Sequence, residues 1–275
     1  MIFAALSALS YGIADFSGGL ASRKSPVSAV AAWSQAVGIL ISLLALPLFS
    51  GSHLSVQIWL WGAAAGLSGS AGLGFLYQGL AEGRAVIVSP AAALTGAVIP
   101  VLFGVLTGER PEPVTWAGVA VALPAILLLS YERGEQKGAV LKSLRTGLIA
   151  GLGFSGFFIL LSETGQSSGI WPLIAARSAS VPALFLLTII RRKPLILNKG
   201  SRRAALSAGA LDMLANIFYL LAARRGMLIT AVVVTAMYPA PTVILQRVIF
   251  KEKLSALRIT GLLLALAGIA LIGLG

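Results

Sequence analysis

The sequence predicts an all-α polytopic membrane protein with ten transmembrane helices, arranged as two inverted five-helix repeats. Three observations support this prediction. Of 275 residues, 57% are hydrophobic and 11% are charged, whereas a soluble domain carries about 25% charged residues. Apolar stretches close to the roughly 20 residues that cross a bilayer core follow one another with short connections. The second half of the chain also repeats features of the first half at a constant offset.

Ten apolar stretches can be marked along the chain, and none of them alternates with the period of two that is typical of barrel strands. Backbone groups in lipid must be hydrogen-bonded within their own segment, so each stretch is predicted to be a helix. The stretches are 2–21, 27–49, 56–81, 85–106, 114–131, 146–162, 169–190, 204–222, 227–249 and 256–274.

An internal repeat appears when the chain is aligned with itself so that Gly83 meets Gly226, a separation that we call the repeat offset. The same offset matches Glu109 with Glu252, Gly118 with Gly261, Phe75 with Phe218, Gly66 with Gly209, and Tyr11 with Phe154. The glutamate match is the most informative, because the chain has only nine acidic residues. Five helices per half is an odd number, so the second copy enters the bilayer from the opposite face. The predicted division is 1–131 for the first repeat, 132–145 for a basic linker and 146–275 for the second repeat.

Basic residues are unevenly distributed between the two sides of the predicted bundle. Of 21 Lys and Arg residues, Arg177 lies inside a span, and only Arg110, Arg224 and Arg225 lie on the side of the termini. The other 17 (21 − 1 − 3) lie in or beside the opposite connections. Positive charge stays cytoplasmic, so both termini are predicted to lie outside. The net charge of +12 is thus attributed to basic loops that set the topology and contact anionic headgroups of the lipid bilayer, and no nucleic-acid partner is expected.

Three charged residues lie inside apolar stretches, namely Asp15, Arg177 and Asp212. Such a charge costs about 2.5 to 3.5 kcal/mol on insertion scales, so these residues are candidates for lining a polar path. Asp15 could bind a proton or a cationic group of a cargo, or be hydrogen-bonded to nearby backbone or to Arg23. Arg177 could bind a carboxylate or phosphate, form an ion pair with Asp212 or Asp15, or extend to an interface.

Further candidates surround these charges. Asn216 lies four residues after Asp212 and Tyr219 three further on, so the three share a helix face that lines a path or forms a buried polar cluster. Aromatic and amide side chains suit an amphipathic or zwitterionic solute, although packing and interface anchoring are their alternatives. These weaker candidates are Tyr11, Trp33, Gln35, Tyr77, Gln78, Phe154 and Tyr238. Glu109 and Glu252 are expected to pair with adjacent basic residues.

Several functional classes are disfavoured by what the sequence lacks. There is no cysteine and one histidine, His53, in a connection, so thiolate metal sites and most histidine chemistry are excluded. No zinc-protease motif and no phosphate loop occur, and neither Asp15 nor Asp212 lies in a Gly-Asp motif. We therefore expect no enzyme activity, no catalytic residue, no metal and no cofactor.

Motifs in both halves resemble one known family. They are Tyr11-Gly12, Ala175-Ala176-Arg177, Ala81 before Gly83, Met237-Tyr238-Pro239, Gly108-Glu109-Arg110, Lys251-Glu252-Lys253, Gly118 and Gly261. Their order and spacing resemble the EamA-type domains of the drug/metabolite transporter superfamily over essentially the whole chain. The chain departs from that pattern at Tyr11, where tryptophan is more usual, and at Ser34, which stands at the place matching Arg177.

The resemblance implies a carrier in the cytoplasmic or inner membrane, often an exporter of amino acids or other small metabolites, that needs no bound cofactor. Inverted repeats place the pathway between the halves and permit alternating access. The expected function is a secondary active transporter of a small organic metabolite, with protons as the candidate coupling ion. The alternatives are proton-coupled multidrug or cation efflux, and a membrane channel or scaffold. A monomer would suffice, and a homodimer stays open.

Overall fold

The computed structural model describes residues 1–49, 55–82, 85–130, 137–250 and 256–274. His53, Gly83 and the Lys251-Glu252-Lys253 motif lie outside these ranges. Within them the chain is helical. The helices are α1 (Ile2–Ser22), α2 (Val27–Ala45), α3 (Val56–Ala81), α4 (Ala85–Leu106), α5 (Pro113–Ser130), α6 (Lys137–Ser162), α7 (Trp171–Ile190), α8 (Lys199–Arg225), α9 (Leu228–Thr235), α10 (Pro239–Phe250) and α11 (Ala256–Leu274).

These helices make ten spans, because α9 and α10 together occupy the ninth predicted stretch. Five helices among the described residues are long and apolar enough by themselves to cross a membrane, and shorter apolar helices accompany them. The ninth stretch was expected to be one helix, but it is interrupted at Ala236–Tyr238. Pro239 follows directly and disfavours helical geometry in the residue before it.

The sixth helix starts at Lys137, well before the apolar stretch that predicted it, which begins at Thr146. Polar and basic residues at its start continue the helix beyond the apolar segment, since helix formation does not require an apolar side chain at every position. The proposed repeat boundaries remain a prediction.

The packing of the helices follows the internal repeat. Helix α1 packs against α8, and the counterpart of this pair, α6 against α3, is also in contact. Likewise α3 packs on α7 while α8 packs on α2. Within each of these two sets, replacing every span by its counterpart in the other half converts one packed pair into the other. The two five-helix halves therefore form one intertwined bundle, in which the last spans of the halves, α5 and α11, pack on each other.

Two glycines related by the repeat offset make equivalent close contacts. A Cβ atom on Gly66 would collide with the backbone oxygen of Ala176, and one on Gly209 would collide with that of Ser34. Small residues are typical of membrane helix interfaces because they let backbones approach. The repeat thus preserves the same close helix crossing in both halves.

A second pair of contacts has the same relationship. Gly12 of α1 lies against the backbone oxygen of Tyr238, to which a Cβ would come within 2.5 Å. At the positions matched by the repeat offset, Ser155 donates its hydroxyl to the backbone oxygen of Thr95 at 3.0 Å. The first span of each half therefore meets the fourth span of the other half at an equivalent point.

We predict that Gly66→Ala and Gly209→Ala lower the midpoint of thermal unfolding of the purified protein in detergent. Overpacking costs about 1–3 kcal/mol, and here the neighbour is backbone that cannot rotate away. Gly74→Ala is the matched control, because a Cβ there meets nothing within 4 Å. Equal midpoints for all three variants would contradict the close-contact explanation.

Candidate functional site

A central cavity of about 480 Å³, counted out to its open mouth, lies between the two halves. It contains the three charged residues that the sequence places inside apolar spans. Its lining comes from α1, α2, α3, α6, α7 and α8 and from the break in the ninth span. The residues are Tyr11, Asp15, Gln35, Gly69, Leu73, Phe154, Phe157, Phe158, Arg177, Asp212, Asn216 and Tyr238.

Arg177 and Asp212 form an ion pair that joins α7 to α8. The guanidinium Nη2 donates to Asp212 Oδ2 at 2.5 Å, and the side chains are 4% and 13% exposed. Asn216 donates its Nδ2 to the same carboxylate oxygen at 3.2 Å, and Tyr11 donates its hydroxyl to Asn216 Oδ1 at 2.9 Å. This network connects the first helix of one half to the second and third helices of the other.

Asp15 differs from Asp212 in having no such partner. It is 6% exposed, and no described residue makes a hydrogen bond or ion pair with its carboxylate. The pairing with Arg23 or nearby backbone that the sequence left open is therefore not formed. Tyr11 and Asp15 are four residues apart on α1, which places both on the cavity face.

Four polar residues of the lining have apolar residues or glycine at the positions related to them by the repeat. At the repeat offset, Asp15 corresponds to Phe158, Asp212 to Gly69, Asn216 to Leu73 and Tyr11 to Phe154. All eight of these residues line the cavity. The polar members lie on the packed pair α1 and α8, and their counterparts lie on the packed pair α3 and α6.

A second cavity of about 720 Å³ opens toward the side of the termini. Leu161 on α6 and Tyr219 on α8 line it. Each lies three residues, or about 4.5 Å of helix rise, beyond Phe158 and Asn216 of the central cavity. Between the cavities the rings of Phe158 and Tyr219 are 4.5 Å apart at their centroids, and the Tyr219 hydroxyl donates to the Phe158 backbone oxygen at 3.3 Å. Phe158 lines the central cavity and Tyr219 lines the second cavity, so a lining residue of one is in contact with a lining residue of the other.

Glu109 lies at the edge of the second cavity and crosses between the halves. Its carboxylate accepts the backbone N–H groups of Leu228 at 2.6 Å and Ile229 at 3.0 Å, which are the free donors at the start of α9. The expectation that Glu109 pairs with adjacent basic residues is wrong for this residue. An acidic side chain is stabilised at a helix N-terminus by the helix dipole, and α9 provides one from the other half. Glu252 lies outside the described residues.

Four of the predicted site residues do not line the central cavity, namely Trp33, Tyr77, Gln78 and Tyr219. Trp33 is 40% exposed and donates its Nε1–H to the Leu195 backbone oxygen at 2.9 Å. Gln78 is also exposed, and its Nε2 donates to Glu82 at 3.2 Å. Tyr77 is fully buried and packs its ring against Gly18. Tyr219 lines the second cavity, whereas Tyr238 lines the central one and meets Tyr11 edge to face at 6.4 Å.

Sequence reasoning missed four residues of the lining, namely Gly69, Leu73, Phe157 and Phe158. The repeat offset could have identified three of them, because they are the counterparts of Asp212, Asn216 and Asp15. Apolar residues in an apolar helix carry no signal of their own. Gln35, a weaker candidate, does line the cavity and accepts the Ser180 hydroxyl through its Oε1.

The duplicated bundle and the central cavity it encloses define a multi-pass membrane transporter. The chain belongs to the EamA-like transporter family, whose family model matches residues 1–131 and 138–274. This places it in the drug/metabolite transporter superfamily. A crystal structure that is 18% identical matches with a TM-score of 0.74 over 98% of this chain and 96% of that chain, a likeness that shows the fold alone. No individual curated protein matches the sequence significantly.

We predict that Arg177→Gln and Asp212→Asn each lower thermal stability more than the double variant does. Removal of one partner leaves an uncompensated buried charge, which costs about 3–5 kcal/mol, while removal of both is often close to neutral. Thermal unfolding of the four members of this cycle measures the coupling. Asp15→Asn is the matched control, because its carboxylate has no partner to lose, and it should not be destabilising. Strictly additive effects would argue against the pair.

Proposed function

We propose that this protein is a secondary active transporter that exports a small organic metabolite across the cytoplasmic (inner) membrane by alternating access. One observation carries the proposal: both halves build the central cavity, and the cavity holds all three charged residues that lie inside apolar spans. Intramembrane charges that face a shared cavity are typical of a substrate or ion path.

The arrangement of the two cavities supports alternating access. They follow one another along the same faces of α6 and α8, and Phe158 of the central cavity contacts Tyr219 of the second. A rocking movement of one half against the other would part these side chains and close an equivalent barrier on the opposite side. A monomer is sufficient, because both halves belong to one chain.

Two classes of cargo fit the sequence. An amino acid would place its ammonium group on one of the cavity carboxylates and its carboxylate on Arg177. The second candidate is proton-coupled efflux of an organic cation. The observation that favours it is that Asp15 lacks any partner in the described part of the chain. A proton or a cation could then occupy the same carboxylate in turn.

We predict that Asp15→Asn abolishes proton-gradient-driven flux in proteoliposomes. The cargo is identified first by comparing metabolites of cells with and without the gene. The amide can neither take up a proton nor attract a cation, so driven flux should fall while exchange can persist. Glu112→Gln is the matched control, since this exposed acid lies outside the cavity. Undiminished driven flux in Asp15→Asn would contradict the coupling role. A gradient-independent leak in the unmodified protein would indicate a channel.

We predict that both termini lie outside the cell, as the charge distribution indicates. The chain contains no cysteine, so single cysteines can report topology without background. Thr107→Cys, exposed just beyond α4 on the side of the termini, should react with an impermeant maleimide in intact cells. Lys193→Cys, exposed on the basic side, should react only after the cells are opened. The reverse labelling pattern would place the termini inside.

A further inference from the structure

The formal charges of the central cavity do not cancel. Two carboxylates and one guanidinium leave a net charge of −1 (−2 + 1), counting Asp15, Asp212 and Arg177. Because Arg177 is paired with Asp212, the excess negative charge belongs to Asp15. Asp212 accepts from Arg177 at 2.5 Å and from Asn216 at 3.2 Å, whereas Asp15 accepts nothing from the described residues. A buried, unpaired carboxylate is costly, so a cationic partner from outside the protein would be strongly favoured there.

The part of the lining that comes from α3 and α6, which we call the apolar wall, has no polar side chain to match. The lining residues with side chains on α3 and α6 are Leu73, Phe154, Phe157 and Phe158. Burial of apolar surface against such a wall stabilises a bound molecule, and aromatic faces attract cations as well. The occupant that satisfies both Asp15 and the apolar wall has a positive charge at one end and an apolar body at the other.

Two other kinds of occupant fit this cavity less well. A carboxylate on the cargo would raise the negative charge of the site. It would also compete with Asp212 for Arg177, whose Nη2 donates to Asp212 and whose Nε lies near Gly38. An inorganic divalent cation such as Ca²⁺ requires about six to eight oxygen ligands. No group of three potential metal ligands occurs among the described residues.

We infer that the central cavity binds organic monocations with an apolar or aromatic body and no carboxylate, with the charged group at Asp15 and the body against Phe158 and Leu73. This inference rests on the proposed function and decides between its two classes of cargo. According to this inference, Asp15 selects bound molecules by their positive charge. The apolar lining residues on α3 and α6 select molecules that also have an apolar body.

Four probes that share one ring but differ in charge test this inference on the purified full-length protein in detergent. They are benzyltrimethylammonium, its neutral isostere neopentylbenzene, phenylacetate and the zwitterion phenylalanine. Isothermal titration should show saturable binding of benzyltrimethylammonium and at least about tenfold weaker binding of the other three, because each lacks the charge match to a buried carboxylate.

Variants show where the cation binds. Asp15→Asn should weaken benzyltrimethylammonium binding by more than about tenfold, while Asp15→Glu retains binding and Glu112→Gln leaves it unchanged. Thermal unfolding and gel filtration of each variant establish that it is folded. Phe158→Ala should weaken binding of the cation without changing the order of the four probes.

The outcomes separate the inference from the proposed function. Phenylalanine or phenylacetate binding as tightly as benzyltrimethylammonium, equal binding by Asp15→Asn, or no binding of any probe would overturn the inference. A carrier of a different cargo would survive each of these results. Conversely, Asp15-dependent binding without any movement of benzyltrimethylammonium in proteoliposome exchange would count against transport of such cations while supporting the cation site.

Discussion

The ion pair between Arg177 and Asp212 is the interaction on which the central site depends. Both groups lie in spans surrounded by apolar residues, where an isolated charge is costly. Their pairing at 2.5 Å makes the arginine tolerable and fixes the third helix of the second half against its second helix. Asn216 and Tyr11 extend the network to the first helix of the other half. One electrostatic constraint therefore positions polar groups from both halves around the cavity.

Close backbone contacts make this polar arrangement possible. Gly66 and Gly209 let α3 cross α7 and α8 cross α2 at a separation that no Cβ would permit. Because lipid gives little hydrophobic drive for helix association, such contacts supply packing instead. They also explain why the two halves behave as one bundle, since each half uses its third span to contact the second span of the other.

Much of the fold could be predicted from the sequence. Hydropathy marks the spans, and the constant repeat offset identifies the duplication. The break at Ala236–Tyr238 was missed, because a proline inside an apolar stretch can end a helix or merely bend it. For the site, Asp15, Arg177 and Asp212 stood out because charge in lipid is rare. Uniformly apolar helices give no face preference, so Trp33, Gln78 and Tyr77 could not be placed relative to the cavity from sequence.

Duplication supplies a symmetric cavity, but a symmetric cavity would present the same chemistry on both walls. Here the residues at repeat-related positions differ, with Asp15 matched by Phe158 and Asn216 matched by Leu73. The close backbone contacts are kept in both halves, whereas the side chains that line the cavity differ between the halves. Small residues maintain the helix crossings in both halves, and the lining residues give the cavity its chemical character. The ninth span connects the two cavities. Glu109 of the first half accepts backbone N–H groups at the start of α9. Tyr238, just after the end of α9, lines the central cavity. A movement of the start of α9 away from Glu109 would therefore displace a residue that lines the central cavity, and the two cavities would change shape together.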